Sequence, residues 1–262
     1  MTQALAHQPP AATGREQRDR ALFDGIAEHY TRKDLHPSAR IARQQRLLQT
    51  LAAAPLPRKP SILEAGCGAG FSARYLEGRF SRFAGIDYAD NLIHAARRHN
   101  AVPNASFLTA NIKQLDLEEQ FDAVVMIGVL HHLDDMPAAV ESLARVLKPG
   151  GWLLANEPQP GNPMIRLARG MRKRIDRGYS DEQDQLSSGT LCQLYRDAGL
   201  EDVNTVPQGF ISTPLAEVAL EPTMITRPLA KLACRVDRGL ERLGPGLLRR
   251  LSWNLVAVGR KP

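Results

Sequence analysis

One stretch constrains the fold of this chain more than any other. Residues Ile62–Gly70 read ILEAGCGAG, so an apolar segment runs directly into a turn that contains three glycines. The apolar segment indicates a buried strand, and glycine, which lacks a Cβ, lets the turn adopt unusual dihedrals and lets a ligand approach it closely. In an open parallel sheet, ligands bind where the strands end. The stretch therefore predicts an α/β fold with a ligand at this turn.

The remaining chain repeats this rhythm of strand and helix. Short apolar runs bounded by Gly, Asp or Asn alternate with amphipathic stretches, which is typical of βαβ units around a parallel sheet. Seven strands are predicted, at Ser61–Ala65, Arg82–Asp87, Ser106–Thr109, Phe121–Ile127, Trp152–Asn156, Val203–Pro207 and Trp253–Gly259.

Helical segments are predicted to cover this sheet within one domain over residues 15–262, after a disordered, Pro-rich tail over 1–14. A helical cap is expected over 15–56 and a helical insertion over 209–251. The insertion carries an apolar stripe of Leu229, Leu232, Val236, Leu240 and Leu243. A second amphipathic segment carries Met164, Ala168, Met171 and Ile175 on one face.

Composition excludes several protein classes. With 43% hydrophobic and 24% charged residues, the chain matches an ordinary globular protein. Its three cysteines, Cys67, Cys192 and Cys234, are odd in number and far apart, which suits neither a disulfide framework nor a zinc site. No signal peptide or membrane-spanning stretch can be recognised, so we expect a cytoplasmic protein without a structural metal.

The formal net charge of +6 arises mostly in the C-terminal part of the chain. The basic segments Arg166–Arg177 and Arg227–Arg250 are interpreted first as solvated faces of cover helices. An anionic acceptor, an anionic membrane surface or nucleic acid are the alternatives. No RNA-reading motif accompanies these segments and few aromatic residues are interleaved, so nucleic acid ranks last.

A carboxylate, Asp87, ends the second predicted strand about 20 residues after the glycine turn, the spacing at which an acid meets ribose hydroxyls. Turn and acid together predict a nucleoside ligand. A dinucleotide site is disfavoured because Phe71 stands where its third glycine belongs, and a P-loop because no Gly-Lys-Ser/Thr follows. Glu64 would repel a pyrophosphate, whereas it could pair with a ligand amino group.

Four motifs carry a family resemblance: ILEAGCGAG, GIDYADNLIHAARR, FDAVVMIGVLHHL and LKPGGWLLANEP. In order and spacing they resemble the class I S-adenosylmethionine-dependent methyltransferases, most closely the branch with the ubiquinone and menaquinone biosynthesis enzymes. The resemblance covers roughly Phe23–Pro158 and the final strand. It implies a Rossmann-like, mostly parallel seven-stranded sheet whose last strand is antiparallel.

The resemblance also implies the cofactor site. Around the methionine part of S-adenosylmethionine it places Gly66, Cys67, Gly68 and Gly70, with Glu64 near the amino group. Asp87 would hold the ribose and Tyr88 would lie against the adenine. Asn111, where the family usually has Asp, would offer a carbonyl acceptor to the adenine, beside Ile112. Ile127 and Gly128 would pass beneath the sulfonium, and Tyr30, with His29, could close over the cofactor.

Three residues are candidates for proton transfer at the rim where a methyl group would be presented: His131, His132 and Glu157. A structural role for one histidine is the alternative, and Glu157 could instead anchor the acceptor or cap a helix. Arg40, Arg43 and Arg46 share a predicted helix, and one of them could pair with the cofactor carboxylate.

The expected function is methyl transfer from S-adenosylmethionine to a small or medium, apolar small-molecule acceptor. The alternatives are an inactive methyltransferase-like scaffold, a nicotinamide oxidoreductase, and an enzyme that acts on a lipid at an anionic membrane surface. No nucleic-acid partner is expected. The identity of the acceptor and the oligomeric state stay open at this stage.

Overall fold

A computed structural model describes residues 14–118, 120–159, 162, 186–217, 221–242 and 250–262. Its centre is a seven-stranded sheet in the order β3-β2-β1-β4-β5-β7-β6. The strands are β1 Ser61–Ala65, β2 Arg82–Asp87, β3 Ala105–Thr109, β4 Phe121–Ile127, β5 Leu147–Pro158, β6 Glu201–Gln208 and β7 Asn254–Arg260. Strands β1 to β5 pair in parallel, whereas β7 is antiparallel to both β5 and β6. The predicted fold class is confirmed.

Eight α-helices are described around this sheet. They are α1 Gly14–Leu35, α2 Pro37–Leu51, α3 Phe71–Tyr75, α4 Asp90–His99, α5 Met136–Arg145, α6 Ser188–Asp197, α7 Thr213–Glu217 and α8 Thr223–Arg242. Local sequence explains several of their ends. Pro37 lies in the first turn of α2, and the Asp135 side chain accepts from the Ala138 N–H at the start of α5.

The core lies on both faces of the sheet. On one face, Phe83 and Val125 pack in a cluster with residues of α3 and α4, and on the other, Val124 and Met126 pack in a cluster with residues of α5 and α6. Neighbouring residues of β4 point to opposite faces, and both faces are covered, so this strand is an almost continuous apolar run.

The insertion folds differently from a simple apolar-inward helix. In α8, the residues that pack against α2 and α7 are small: Ala230, Ala233 and Cys234 are buried. Leu229, Leu232 and Val236 of the predicted stripe are exposed instead. Because these buried residues are small, α8 can pack closely against α2 and α7, and its longer aliphatic side chains lie on the outer surface.

Some predictions fall outside the described residues: the tail over 1–13, the segment with Met164, Ala168, Met171 and Ile175, the basic segment Arg166–Arg177, and Leu243. Among the helices that the structure describes, none combines the length and apolarity required to cross a bilayer.

Candidate active site

Two cavities meet at the turn that follows β1. Both are lined by Gly66, Gly68 and Ile127, so they adjoin the same glycine loop. The first cavity has an empty volume of about 850 Å³, part of which is open to solvent. Its other lining residues are Glu16, Phe23, Asp87, Tyr88, Leu92, Ala110, Asn111, Ile112, Gly128, Val129, His132 and Leu133. The second encloses about 490 Å³ and is also lined by Asp34, Arg43, Arg46, Leu47, Glu64, Cys67, Phe71, Ser72 and Tyr75.

The loop itself is fixed by the neighbouring strand. The backbone N–H groups of Gly66 and Cys67 both donate to the Ile86 carbonyl, at 2.8 and 2.9 Å. Gly66 has φ +72°, and a Cβ there would lie 2.5 Å from Val129 Cγ2. Glycine is therefore required at this position both for its dihedrals and for space.

Gly70 and Cys67 have packing roles as well. A Cβ on Gly70 would meet Phe107 Cε1 at 2.5 Å, and Gly70 does not line either cavity. Cys67 is buried, and burial raises the pKa of its thiol well above the usual value, so it is a poor nucleophile. Cofactor contact by these two residues stays a prediction.

Asp87 is buried at the end of β2 and faces the first cavity. Its Oδ2 accepts from the Gly68 N–H at 2.9 Å and its Oδ1 from the Ala89 N–H at 3.0 Å. Burial raises the pKa of this carboxyl, while the backbone donors oppose the rise. Because each carboxylate oxygen can accept more than one hydrogen bond, the group retains capacity for a ligand hydroxyl.

Glu64 lies on β1 at the second cavity and is buried. Ser72 Oγ donates to its Oε1 at 2.6 Å, whereas Oε2 has no hydrogen-bond partner among the described residues. Burial raises the pKa of Glu64 to about 8, and the nearby charges of Asp34 and Asp87 add to the rise. An unpaired buried carboxylate oxygen is costly unless a ligand donor completes it.

Asn111 lines the first cavity and, among the described residues, lacks a partner for a donor atom, whereas Glu64 lacks one for an acceptor atom. Its Oδ1 accepts from the Lys113 N–H at 3.0 Å, which starts a short 3₁₀ turn, Ile112–Gln114. Its buried Nδ2 has no partner within the described part of the chain. The carbonyl oxygen, predicted to accept from the adenine, thus accepts one local hydrogen bond and has a second lone pair, while the amide nitrogen has a donor available to a ligand. Contact of Asn111 with the adenine stays a prediction.

Helix α2 supplies the basic side of the second cavity. Arg43 is buried, with its Nη1 donating to Asp34 Oδ1 at 2.7 Å and its Nε to the Ala216 carbonyl at 2.8 Å. Arg46 also lines this cavity, whereas Arg40 is exposed and does not. Two of the three sequence candidates, Arg43 and Arg46, thus line this cavity.

The three candidates for proton transfer occupy different positions. Glu157 is fully buried, and its Oε1 accepts from the N–H groups of Val129 and Leu130, at 3.0 and 2.9 Å. Its Oε2 lies 2.6 Å from Nδ1 of His131, which is buried. Of the three, His132 alone lines one of the two cavities described above.

His132 is held between its neighbour and the first helix. Its ring lies 4.2 Å from the ring of His131, centroid to centroid, and packs edge-on against Phe23 of α1. Its Nδ1 lies 3.5 Å from Asp19 Oδ2, and neither atom has a hydrogen-bond partner among the described residues. The imidazole therefore sits at the cavity with hydrogen-bonding capacity to spare.

Helix α1 contributes Glu16 and Phe23 to the lining of the first cavity. Tyr30 lies on α1, but its side chain falls outside the described part, so its predicted role stays a prediction. Sequence reasoning missed Ser72, Asp34 and Phe23 as residues of the site. Ser72 follows the glycine loop closely enough to have been suspected, whereas the two α1 residues carry no local signal.

Comparisons with known proteins agree with this geometry. A family model described as "Methyltransferase domain" matches residues 63–155. Over 173 residues the chain is 28% identical to a ubiquinone biosynthesis O-methyltransferase of Thiobacillus denitrificans, covering 63% of this chain and 73% of that protein.

Two solved structures share the fold. A SAM-dependent methyltransferase from Thermotoga maritima superposes with a TM-score of 0.65 at 20% identity, covering 92% of this chain and 99% of that one. A magnesium protoporphyrin IX methyltransferase from Synechocystis, solved with bound SAH, gives 0.61 at 14% identity, covering 94% and 100%. At such identities the similarity establishes the fold.

Proposed function

Residues 63–155 form the methyltransferase domain of a class I S-adenosylmethionine-dependent methyltransferase, and from that premise we propose that the chain methylates a small or medium, apolar small molecule. The cofactor supplies an activated methyl group on its sulfonium. The protein's contribution is to bind and align the two reactants and to exclude water.

The residues present fit the cofactor. One observation carries the proposal: two orphaned polar atoms of opposite kind lie on the two cavities that share the glycine loop, Glu64 Oε2 as an acceptor and Asn111 Nδ2 as a donor. A ligand that completes both must bring a donor to the first and an acceptor to the second. The ammonium group and the adenine ring nitrogens of S-adenosylmethionine meet this requirement.

We assign the remaining contacts on the same basis. Asp87 would accept from the ribose hydroxyls and Tyr88 would flank the adenine beside Ile112. Arg46, which lines the second cavity, would face the cofactor carboxylate. Gly66 and Gly68 admit the ligand, and Ile127 and Gly128 would lie beneath the sulfonium.

For the acceptor, the lining of the first cavity favours an apolar molecule, because Phe23, Leu92, Val129 and Leu133 contribute to it. His132 is the residue we propose to take a proton when the acceptor has one to lose. Glu157 and His131 are proposed as positioning residues: Glu157 holds the loop after β4, and His131 supports the His132 ring. We further propose that residues 15–262 act as one domain.

The experiment titrates the full chain with S-adenosylmethionine in a calorimeter, beside the Asp87→Asn and Asp122→Asn variants. Asp122 is the matched control, because it accepts from the Ser61 N–H at 2.7 Å at the start of β1, away from the cavities. We expect binding that Asp87→Asn weakens and Asp122→Asn preserves, with thermal melts showing that each variant folds.

Absence of a heat signal in the intact chain would favour the scaffold interpretation. Binding of a nicotinamide dinucleotide instead would favour an oxidoreductase. Where binding is found, transfer of tritiated methyl groups into cell extracts fractionated by polarity would test the acceptor class. Label that appears in polar fractions alone would contradict the apolar assignment.

A further inference from the structure

Helix α8 presents three distinct stripes along its length. Every third or fourth residue returns to the same side of an α-helix, so Thr226, Ala230, Ala233 and Asp237 form one stripe, and all four are buried. A second stripe is aliphatic, and a third is basic. Both lie on the solvent side.

The aliphatic stripe consists of Ile225, Leu229, Leu232 and Val236, all exposed, and Leu232 exposes 55% of its surface. Met224, at the start of the helix, exposes 87%. These five are half of the large exposed hydrophobic residues in the described part of the chain. So much aliphatic surface on one helix indicates an interaction site.

The charges of α8 are segregated by face. The basic residues Arg227, Lys231, Arg235, Arg238 and Arg242 are all exposed. Both acidic residues are turned inward: Asp237 accepts from the Ile211 and Ser212 N–H groups, and Glu241 from the Gly209 N–H. The charged residues on the outer surface of this helix are therefore all cationic.

From this arrangement we infer that α8 docks the protein on an anionic phospholipid surface, with the aliphatic stripe entering the headgroup boundary and the basic stripe meeting lipid phosphates. A second copy of the chain would bring cation against cation. A nucleic acid would use the basic stripe but leave the aliphatic one exposed. Aliphatic and basic residues side by side on one exposed helix are what an interfacial helix needs. The inference does not depend on the proposed activity.

Flotation of the full chain with vesicles tests it. The vesicles are phosphatidylcholine alone or phosphatidylcholine mixed with phosphatidylglycerol, at low and high salt. We expect the chain to float with the mixed vesicles at low salt, not with the neutral ones, and to be released by high salt because exposed charges are screened.

Two sets of variants separate the stripes. Combined glutamine substitutions at Arg227, Lys231 and Arg235 should lower partitioning about fivefold for each charge removed. The combined change Ile225→Ser and Leu232→Ser should lower it about tenfold or more at unchanged charge. The matched controls are Arg58→Gln with Lys59→Gln, and Leu35→Ser, exposed residues of the same types elsewhere. All these side chains are exposed, and melting curves verify folding.

No flotation with anionic vesicles at low salt overturns the inference, as does equal flotation with neutral vesicles. It is also overturned if the variants of either stripe float as well as the controls do. Binding to heparin or to an acidic protein without flotation would assign the surface to another anionic partner and overturn the lipid assignment.

Discussion

Side-chain carboxylates in two regions of this molecule differ in how completely their oxygens are hydrogen-bonded. Where α8 contacts the loop after β6, Asp237 accepts from the Ile211 and Ser212 amides, and Glu241 accepts from the Gly209 amide and the Gln49 side chain. Every oxygen there has a donor. In the cleft after β1, Glu64 Oε2 has none among the described residues. The first region is a finished structural contact, whereas the second is finished only by a ligand.

This comparison predicts that a carboxylate substitution at the α8 contact lowers stability, whereas one in the cleft after β1 lowers cofactor affinity. The largest effect is expected for Asp237→Ala, which strips the partner from two backbone N–H groups and from Ser212 Oγ. Because bonds to a charged acceptor contribute about 1.5–3 kcal/mol each and are not additive, unfolding free energy should fall by about 3–5 kcal/mol. Urea denaturation measures it.

Glu201→Ala serves as the control for Asp237→Ala, since Glu201 forms an exposed ion pair with Arg260, at 3.0 Å. It should cost less than about 1 kcal/mol. Under conditions where the Asp237→Ala variant remains folded, its affinity for S-adenosylmethionine should equal that of the unaltered chain. A large loss of affinity without loss of stability would erase the distinction between the regions.

Gly66→Ala tests whether the cleft is built from backbone geometry. The left-handed φ costs an alanine about 1–2 kcal/mol, and the contact with Val129 adds overpacking of about 1–3 kcal/mol. Stability should fall by about 2–4 kcal/mol, and cofactor affinity should be lost in the variant that remains folded. Gly78→Ala is the matched control, because Gly78 has φ +76° but open space around its Cβ. If both variants behave alike, space at Gly66 does not matter.

Glu64→Gln addresses the incomplete carboxylate directly. Replacing the charge should weaken S-adenosylmethionine about 10- to 100-fold, since a charge-assisted hydrogen bond is replaced by a neutral one. Burial raises the pKa of Glu64 to about 8, so at pH 7 the free protein holds a proton there that an incoming ammonium group would expel. Affinity should therefore rise with pH up to about 8.

Calorimetry in two buffers of different ionisation enthalpy measures the released proton. The unaltered chain should release close to one proton at pH 7, and Glu64→Gln none. Release that persists in the variant would show that another group titrates on binding.

The sequence predicted the parts of the molecule that are local along the chain. Five of the seven predicted strands agree with the observed bounds to within one residue, and the glycine loop and Asp87 lie together because one βαβ unit contains both. Contacts between elements that are distant along the chain could not be predicted from the sequence. Asp34 meets Arg43 and Tyr75 only after α1 and α2 pack on the fold, and no residue pattern encodes such contacts.

The α8 stripe shows why amphipathic patterns underdetermine packing. Leu229, Leu232 and Val236 predict an apolar face, but small residues at Ala230 and Ala233 let α2 approach closely and become the buried face. Similarly, the sequence could place Asn111 at the cleft but not determine which of its two side-chain atoms a local turn would use.

The smallest expected effect concerns Glu241, the partner in the comparison with Glu64. Burial raises its pKa to about 7, above the value of an unfolded chain. The unfolded state therefore loses this proton at lower pH than the folded state, so the contribution of Glu241 to stability is fully present at acidic pH and declines as pH rises through about 7.

Glu241→Gln should flatten the decline of stability between about pH 5 and pH 7.5. The proton released on cofactor binding should be unchanged, because the residue belongs to the closed contact. Thermal melts across this pH range measure the slope. A variant that altered the proton release instead would couple the two regions, and the distinction between a finished contact and one awaiting its ligand would fail.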